Sequence, residues 1–363
     1  MDQALPRSRG HFLIFGTSGI RDRGDDQVWC CSCASGSRSS RNRHAVPGTA
    51  SSSRRAKRTG LGGLRWTGSG RRVGDTGGGS RRGHFRQRDP DLQTVTAQNR
   101  TEISRLLEAH GLAPIHRLGQ HFLADANITR KIVSVADVGP GDNVVEVGAG
   151  TGTLTRALAT TGAHVVAYEI DQGLKPVLEE VTEGLDVELR FTDVTKVDFA
   201  KTFDSGHWTM VANLPYNVGT PLVIDAIRKV EAIERFVVMV QREVAERLIA
   251  VSGSPDYGLP SVVAGIYTEA SIVFRVPPQV FYPPPRVESA VVLLTRKPSP
   301  PHSDQAVVIA RAGFGQRRKM LRRSLGSVFD DPVAVLTQAG LDPTDRAEDL
   351  APADFLRLAE AVK

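Results

Sequence analysis

The chain has 363 residues, 40% of them hydrophobic and 24% charged, with a formal net charge of +6. This length accommodates two domains and a tail, and no apolar run approaches the roughly 20 residues of a bilayer span, so no membrane partner is expected. The basic balance suggests nucleic acid, but it is uneven: residues 1–90 hold 18 Lys+Arg against 6 Asp+Glu, while residues 91–363 hold 28 against 34, so a folded body that meets nucleic acid must do so through a local patch.

Residues 1–94 are dense in Arg, Gly and Ser and show no sustained apolar periodicity, which predicts a disordered tail. All three cysteines, Cys30, Cys31 and Cys33, lie in it; adjacent cysteines make a poor ligand set, and no metal site is expected. Phe12-Leu13-Ile14-Phe15 is too short for the apolar core of a secretory signal. An inert tail, or the product of a start codon placed too far upstream, is favoured over an RNA-binding arm. The body lacks cysteine, which suits the cytoplasm.

From residue 95 onward an α/β domain is expected to run to residue 297. Thr101–His110 reads as a helix stopped by Gly111, and a second helix covers Ala126–Ala136. Strand-like runs then follow at Asn143–Gly148, His164–Ile170, Val187–Phe191, Thr209–Leu214 and Phe236–Val240, with helical sequence filling most gaps. That alternation predicts a parallel sheet covered on both faces. Ser271–Val276 and Ser289–Thr295, joined by the turn-rich Pro277–Pro285, read as a closing antiparallel pair. Pro298-Ser299-Pro300-Pro301 marks a linker to an all-helical domain, residues 298–363, with helices at Asp304–Phe314, Gln316–Phe329, Pro332–Ala339 and Pro352–Val362.

Glu146-Val147-Gly148-Ala149-Gly150-Thr151-Gly152 stands where the first long strand gives way to a helix. Glycines there let a ligand approach the backbone. The spacing is G-x-G-x-G, and Thr153 occupies the place where a dinucleotide fingerprint wants its third glycine, which disfavours an NAD oxidoreductase. Glu146 before the first glycine is typical of S-adenosylmethionine sites. Glu169 ends the second strand, where an acid grips ribose hydroxyls; Asp193 follows the third and suits an adenine amino group; Asn213 ends the fourth. Polar groups at successive carboxyl ends of parallel strands line one crevice, the usual ligand position in such sheets. Methyl transfer is the expected chemistry. Asn213-Leu214-Pro215-Tyr216 adds an amide, a rigid turn with a free carbonyl and an aromatic plate, a group suited to a planar base bearing an exocyclic amine.

Leu118-Gly119-Gln120-His121-Phe122-Leu123, Glu146–Gly152, Asn213-Leu214-Pro215-Tyr216-Asn217, Phe281–Ala290 and Phe314–Leu321 together resemble the small-subunit rRNA adenine dimethyltransferases, the kasugamycin-sensitivity family. The resemblance covers about residues 95–363. It implies a Rossmann-like class I S-adenosylmethionine-dependent methyltransferase fold, with cofactor contacts at His121, Leu123, Gly148, Glu169, Asp193 and Asn213. Gly150, Gly152 and Glu146 complete the expected cofactor set. Many family members carry Asn where this chain has His121. The resemblance further implies two methyl groups on N6 of each of two adjacent adenines near the 3′ end of small-subunit rRNA, in immature 30S particles, by a cytoplasmic monomer. Asn213 and the Pro215 carbonyl are expected to hold the amine, with Tyr216 and Phe281 clamping the base. Arg311, Arg317, Arg318, Lys319, Arg322 and Arg323 run without an intervening acid and are expected to track phosphates. Two alternatives stay open: a macrolide-resistance-type large-subunit methyltransferase, and a mainly non-catalytic ribosome assembly factor.

Overall fold

The computed structural model describes residues 97–214 and 219–362; the expected tail with its cysteines, and Pro215 and Tyr216, lie outside the described residues. The first helix, α1 (Arg100–Ala109), starts where Asn99 and Glu102 cap each other reciprocally, so two of its orphan amide donors are satisfied. A two-residue strand, β1 (Phe122–Leu123), follows, then α2 (Ala126–Ala136), which Asp125 caps by accepting from the amides of Asn127 and Ile128.

Five strands and their crossovers come next: β2 (Asn143–Val147), α3 (Thr153–Ala159), β3 (His164–Glu169), α4 (Lys175–Val181), β4 (Val187–Phe191), α5 (Phe199–Thr202), β5 (Trp208–Asn213), α6 (Gly219–Lys229) and β6 (Ile233–Gln241). Then come α7 (Arg242–Ile249), α8 (Leu259–Tyr267), β7 (Thr268–Val276), β8 (Phe281–Tyr282) and β9 (Ser289–Arg296). The main sheet has the order β4-β3-β2-β5-β6-β9-β7. Strands β2 to β6 pair in parallel, as their Val-rich runs predict; β9 is antiparallel to both β6 and β7. The strand order reverses between β2 and β5, which opens a crevice at their carboxyl ends.

The Pro-rich turn contains something the sequence periodicity did not reveal. Strand β8 leaves the main sheet and pairs antiparallel with β1, Phe122 opposite Tyr282 and Leu123 opposite Phe281. A segment that precedes the sheet's strands is thereby joined to the connection between its last two, beside the crevice.

The C-terminal segment holds α9 (Ser303–Gly315), α10 (Leu321–Ser324), α11 (Pro332–Gln338) and α12 (Pro352–Glu360). The expected helix over Gln316–Phe329 is corrected: it is reduced to the single turn α10 and a 3-10 turn at Leu325–Ser327. A continuous helix needs the Leu321 and Arg322 amides to bond four residues back. They donate instead to the carbonyls of Asp345 and Pro343 (2.7 and 3.1 Å), so the chain turns. This segment shares one apolar cluster with the sheet: Val307, Ala310, Leu358 and Phe355 join Val262, Ile266 and Tyr267 of α8 and Val292 of β9. Among the described residues no helix is long and apolar enough to cross a membrane.

Candidate active site

Gly148, Gly150 and Gly152 all take positive φ (81°, 57° and 80°), a conformation that side chains strain to reach. They serve different ends. A Cβ on Gly150 would lie 3.0 Å from the Phe122 ring, so this glycine lets β1 lie against the turn. A Cβ on Gly152 would meet Val181 at 3.0 Å and Leu178 at 3.1 Å, both on α4. Gly148 and Gly150 line the cleft, whereas Gly152 does not and instead closes α3 onto α4.

Glu169 braces this turn. One carboxylate oxygen accepts from the Gly150 amide (2.8 Å) and the other from the amides of Ile170 and Asp171 (2.9 Å each). Burial raises its pKa, and the three amides offset only part of that rise. A carboxylate has about four acceptor positions, so the oxygen bonded to Gly150 keeps capacity for a hydroxyl donor from the cleft.

Glu146, 1% exposed, stands behind the turn. Its Oε2 and the hydroxyl of neighbouring Thr155 have no hydrogen-bond partner among the described residues. Burial pushes its pKa up to about 8, and the Glu169 charge raises it further. Glu146, Leu123, Gly148, Gly150 and Asn213 line one small pocket. A buried acceptor without a donor, beside two glycines, fits a ligand that brings a positively charged or N–H group. The larger cleft next to it is lined by His121, Gly148, Gly150, Glu169, Ile170, Asp193, Asn213 and Phe281. Asp193 accepts from the Thr195 hydroxyl (2.7 Å) and amide (3.0 Å); the hydroxyl contact chiefly holds its carboxyl below the usual range. It therefore stays ionised at the rim, an acceptor for an exocyclic amine.

Asn213 lines both pockets. Its Nδ2 donates to the His121 carbonyl (3.3 Å), which leaves Oδ1 as the acceptor. The His121 ring uses Nδ1 toward the Pro283 carbonyl (2.7 Å), so this residue ties the segment entering β1 to the one leaving β8. Phe281 forms a wall of the cleft but is only 1% exposed, packed in the cluster that contains Phe122, Leu123 and Val276. The sequence predicts a plate; the structure shows a ring buried at the edge of the core. These groups suit S-adenosylmethionine: acids at two strand ends, an amide at a third, a glycine turn and a buried carboxyl group with an unpartnered oxygen.

A model of the ribosomal RNA adenine dimethylase family matches residues 115–363. The chain belongs to that family. Two curated relatives, each a ribosomal RNA small subunit methyltransferase A, place it further. The one from Phenylobacterium zucineum is 47% identical over 263 residues, 71% of this chain and 92% of that protein. The one from Moorella thermoacetica is 41% identical over 289 residues, 75% of this chain and 100% of that protein. Among solved structures, a dimethyladenosine transferase from Plasmodium falciparum matches with a TM-score of 0.57 at 26% identity, over 66% of this chain and 96% of that one. The 23S rRNA methyltransferase ErmE matches with a TM-score of 0.52 at 26% identity, over 66% and 99%. Membership of the ribosomal RNA adenine dimethylase family makes the protein an rRNA adenine dimethyltransferase with the Rossmann-like fold the sequence predicts, and it supports S-adenosylmethionine as methyl donor.

The six cations expected to meet RNA are all exposed, but they are not equivalent. Arg317 is committed within the chain, to Glu348 (2.7 Å) and the Pro255 carbonyl (3.0 Å). Arg318, Lys319 and Arg323 have no ion pair among the described residues, and Arg322 lies near Asp342. Because 316–320 is a turn, Arg318 and Arg322, and Lys319 and Arg323, do not share helix faces as a helix over Gln316–Phe329 would have placed them.

Sequence reasoning also passed over several residues around the cleft. Ile170, 49% exposed at the end of β3, offers an apolar surface at the rim; a large aliphatic directly after a strand-end acid was the available signal. Gln120 locks the loop before β1, accepting from the Ile115 amide (2.7 Å) and donating to Asp171 (2.7 Å).

Proposed function

We propose that this dimethyltransferase moves methyl groups from S-adenosylmethionine to N6 of two adjacent adenines in a hairpin loop near the 3′ end of small-subunit rRNA, yielding N6,N6-dimethyladenosine. Its substrate is the immature 30S particle, which it meets as a cytoplasmic monomer. The observation that carries this reading is the position of Asn213, at the end of β5, lining the pocket of the glycine turn and the larger cleft at once.

S-adenosylmethionine supplies an electrophilic methyl group when bound. Glu146, Gly148, Gly150, Glu169 and Asp193, with Leu123 and the His121 loop, are the residues that would hold it. Asn213 does the chemical positioning. An adenine N6 is weakly nucleophilic because its lone pair delocalises into the ring. Oδ1 of Asn213 accepts from the amine and, with the Pro215 carbonyl, favours a tetrahedral nitrogen; the displaced proton leaves to water afterwards. Tyr216 is the ring assigned to stack on the base, and Phe281 backs the cleft as its wall. Base stacking on an aromatic ring contributes roughly 1–3 kcal/mol per base. The rest of the rate comes from approach and alignment.

The segment 95–297 is the methyltransferase domain and 298–363 the rRNA-binding domain. Arg318, Lys319, Arg322 and Arg323 meet phosphates, with Arg311 beside them, while Arg317 holds the turn that presents them.

The decisive experiment is tritiated-methyl transfer from S-adenosylmethionine to unmethylated 30S particles, followed by nucleoside identification. Label recovered as N6,N6-dimethyladenosine in small-subunit rRNA is expected. Label confined to large-subunit rRNA selects the macrolide-resistance type, and particle binding without label selects the assembly-factor reading.

A further inference from the structure

Two side chains at the entry of α1 hold opposite sides of the cleft. Gln98, 5% exposed, uses both ends of its amide: Oε1 accepts from the hydroxyls of Thr151 and Thr153, and Nε2 donates to the Thr151 carbonyl, all at 2.8 Å. Those threonines form the end of the glycine turn and the first residue of α3. Two residues along the chain, Arg100 donates through Nη2 to the carbonyls of Gln279 and Phe281 (3.2 Å each). Asn99 lies between them, fixed by its capping exchange with Glu102 (2.7 and 3.0 Å). The three residues are therefore one stiff unit with an end on each wall.

The geometry points to Gln98 and Arg100 as positioning residues that together set the spacing between the cofactor turn and the Phe281 wall. This rests on the methyltransferase reading of the cleft. One wall is the glycine turn and the other is the β1–β8 ribbon, and the two meet through the apolar contact of the Phe122 ring with Gly150. Without Gln98, two buried hydroxyls and a carbonyl lose their partners, so the turn must shift to find others. Without Arg100, water can take its place at the Gln279 carbonyl, and the β1–β8 ribbon loosens while the fold persists. Methyl transfer is sensitive to such shifts, since a misplacement of about 1 Å costs on the order of 100-fold in rate.

The test uses the full chain as wild type, Gln98→Ala, Arg100→Gln, Thr153→Ser, Thr153→Val, and Gln98→Ala combined with Thr153→Val. Three readouts are taken well below each variant's melting temperature: amide hydrogen exchange over 148–153 without ligand, calorimetric Kd for S-adenosylmethionine, and single-turnover methylation of unmethylated 30S particles. Gln98→Ala should speed exchange in the turn and weaken the Kd about tenfold. Arg100→Gln should leave exchange in the turn and the Kd unchanged but slow the saturated single turnover about tenfold. Thr153→Ser, which keeps the hydroxyl, should behave as wild type. Thr153→Val should show part of the Gln98 defect and add little to it in the double variant. Variants that only melt earlier, with normal Kd, turn exchange and turnover, would overturn the proposal. So would independent, additive effects of Gln98 and Thr153. A wild-type protein that binds the cofactor but methylates no rRNA would instead refute the function proposed above, and is told apart by its intact calorimetry.

Discussion

Glu146 is a carboxyl group buried away from water. Its pKa rises from the ordinary 4.5 to about 8 because it is buried, so the folded, ligand-free protein holds a proton there at neutral pH that the unfolded chain has released. Between those two values the folded state binds more protons than the unfolded one, so stability falls as pH rises from about 5 to about 8 and levels off above. Melting of the ligand-free protein should therefore drop over that window, and Glu146→Gln should flatten the drop; parallel slopes would place the titration elsewhere. A cationic cofactor favours the ionised carboxylate, so its affinity should tighten with pH up to about 8, and this dependence should vanish in Glu146→Gln. For Asn213, replacement by Ala should abolish methyl transfer, at least 100-fold if the amide contact fixes the amine, while 30S binding persists. Retained turnover would remove the assigned role. Glu146, Glu169 and Asn213 were legible in the sequence because strand ends are easy to place once parallel runs are recognised. Gln98 and Arg100 were not, because their partners lie 53 and 181 residues away and no local pattern reports them.

At the scale of elements, Val-rich runs such as Val144-Val145 and Val165-Val166 made the parallel strands readable, since both faces of such strands are buried. What escaped was decided by tertiary donors and acceptors: the ending of helix at 316–320, and a two-residue ribbon too short for any periodicity to register. Arg296 illustrates the same point. It sits at the end of β9 and donates to the carbonyls of Ile227, Val230, Ala226 and Ile233, closing the C-terminal end of α6 from a distant strand. Burial lowers its pKa, though far from neutrality its charge is secure. Arg296→Met keeps bulk and leaves those carbonyls unpaired, and should lower unfolding stability by roughly 2–4 kcal/mol. Denaturant titration measures it, with cofactor affinity expected to change little because α6 begins, rather than ends, at the site.

For the whole molecule, the continuous apolar cluster makes the C-terminal helices part of the sheet's core. Gly313 on α9 and Gly265 on α8 show how close that packing is: an added Cβ would come 2.9 Å from Ala347 and 2.7 Å from Pro352. Denaturation of the described body should be a single transition, and a fragment ending at residue 297 should aggregate, since it exposes Val262, Ile266 and Tyr267. Two separate transitions by circular dichroism and fluorescence would contradict this. On its outer face, replacing Arg318, Lys319 and Arg323 by Ala should reduce the salt dependence of 30S binding by a log–log slope of about 2, taking ~0.7 per phosphate; Arg317→Ala should act through stability instead. The β1–β8 ribbon carries one more consequence, for synthesis rather than catalysis. His121 and Pro283 are 162 residues apart, and the cleft between them stays open until both have left the ribosome. Closing so long a loop is entropically slow and belongs to the last stage of folding. A nascent chain should therefore gain cofactor binding abruptly, only after residue 283 has emerged, although most of the parallel sheet is made long before.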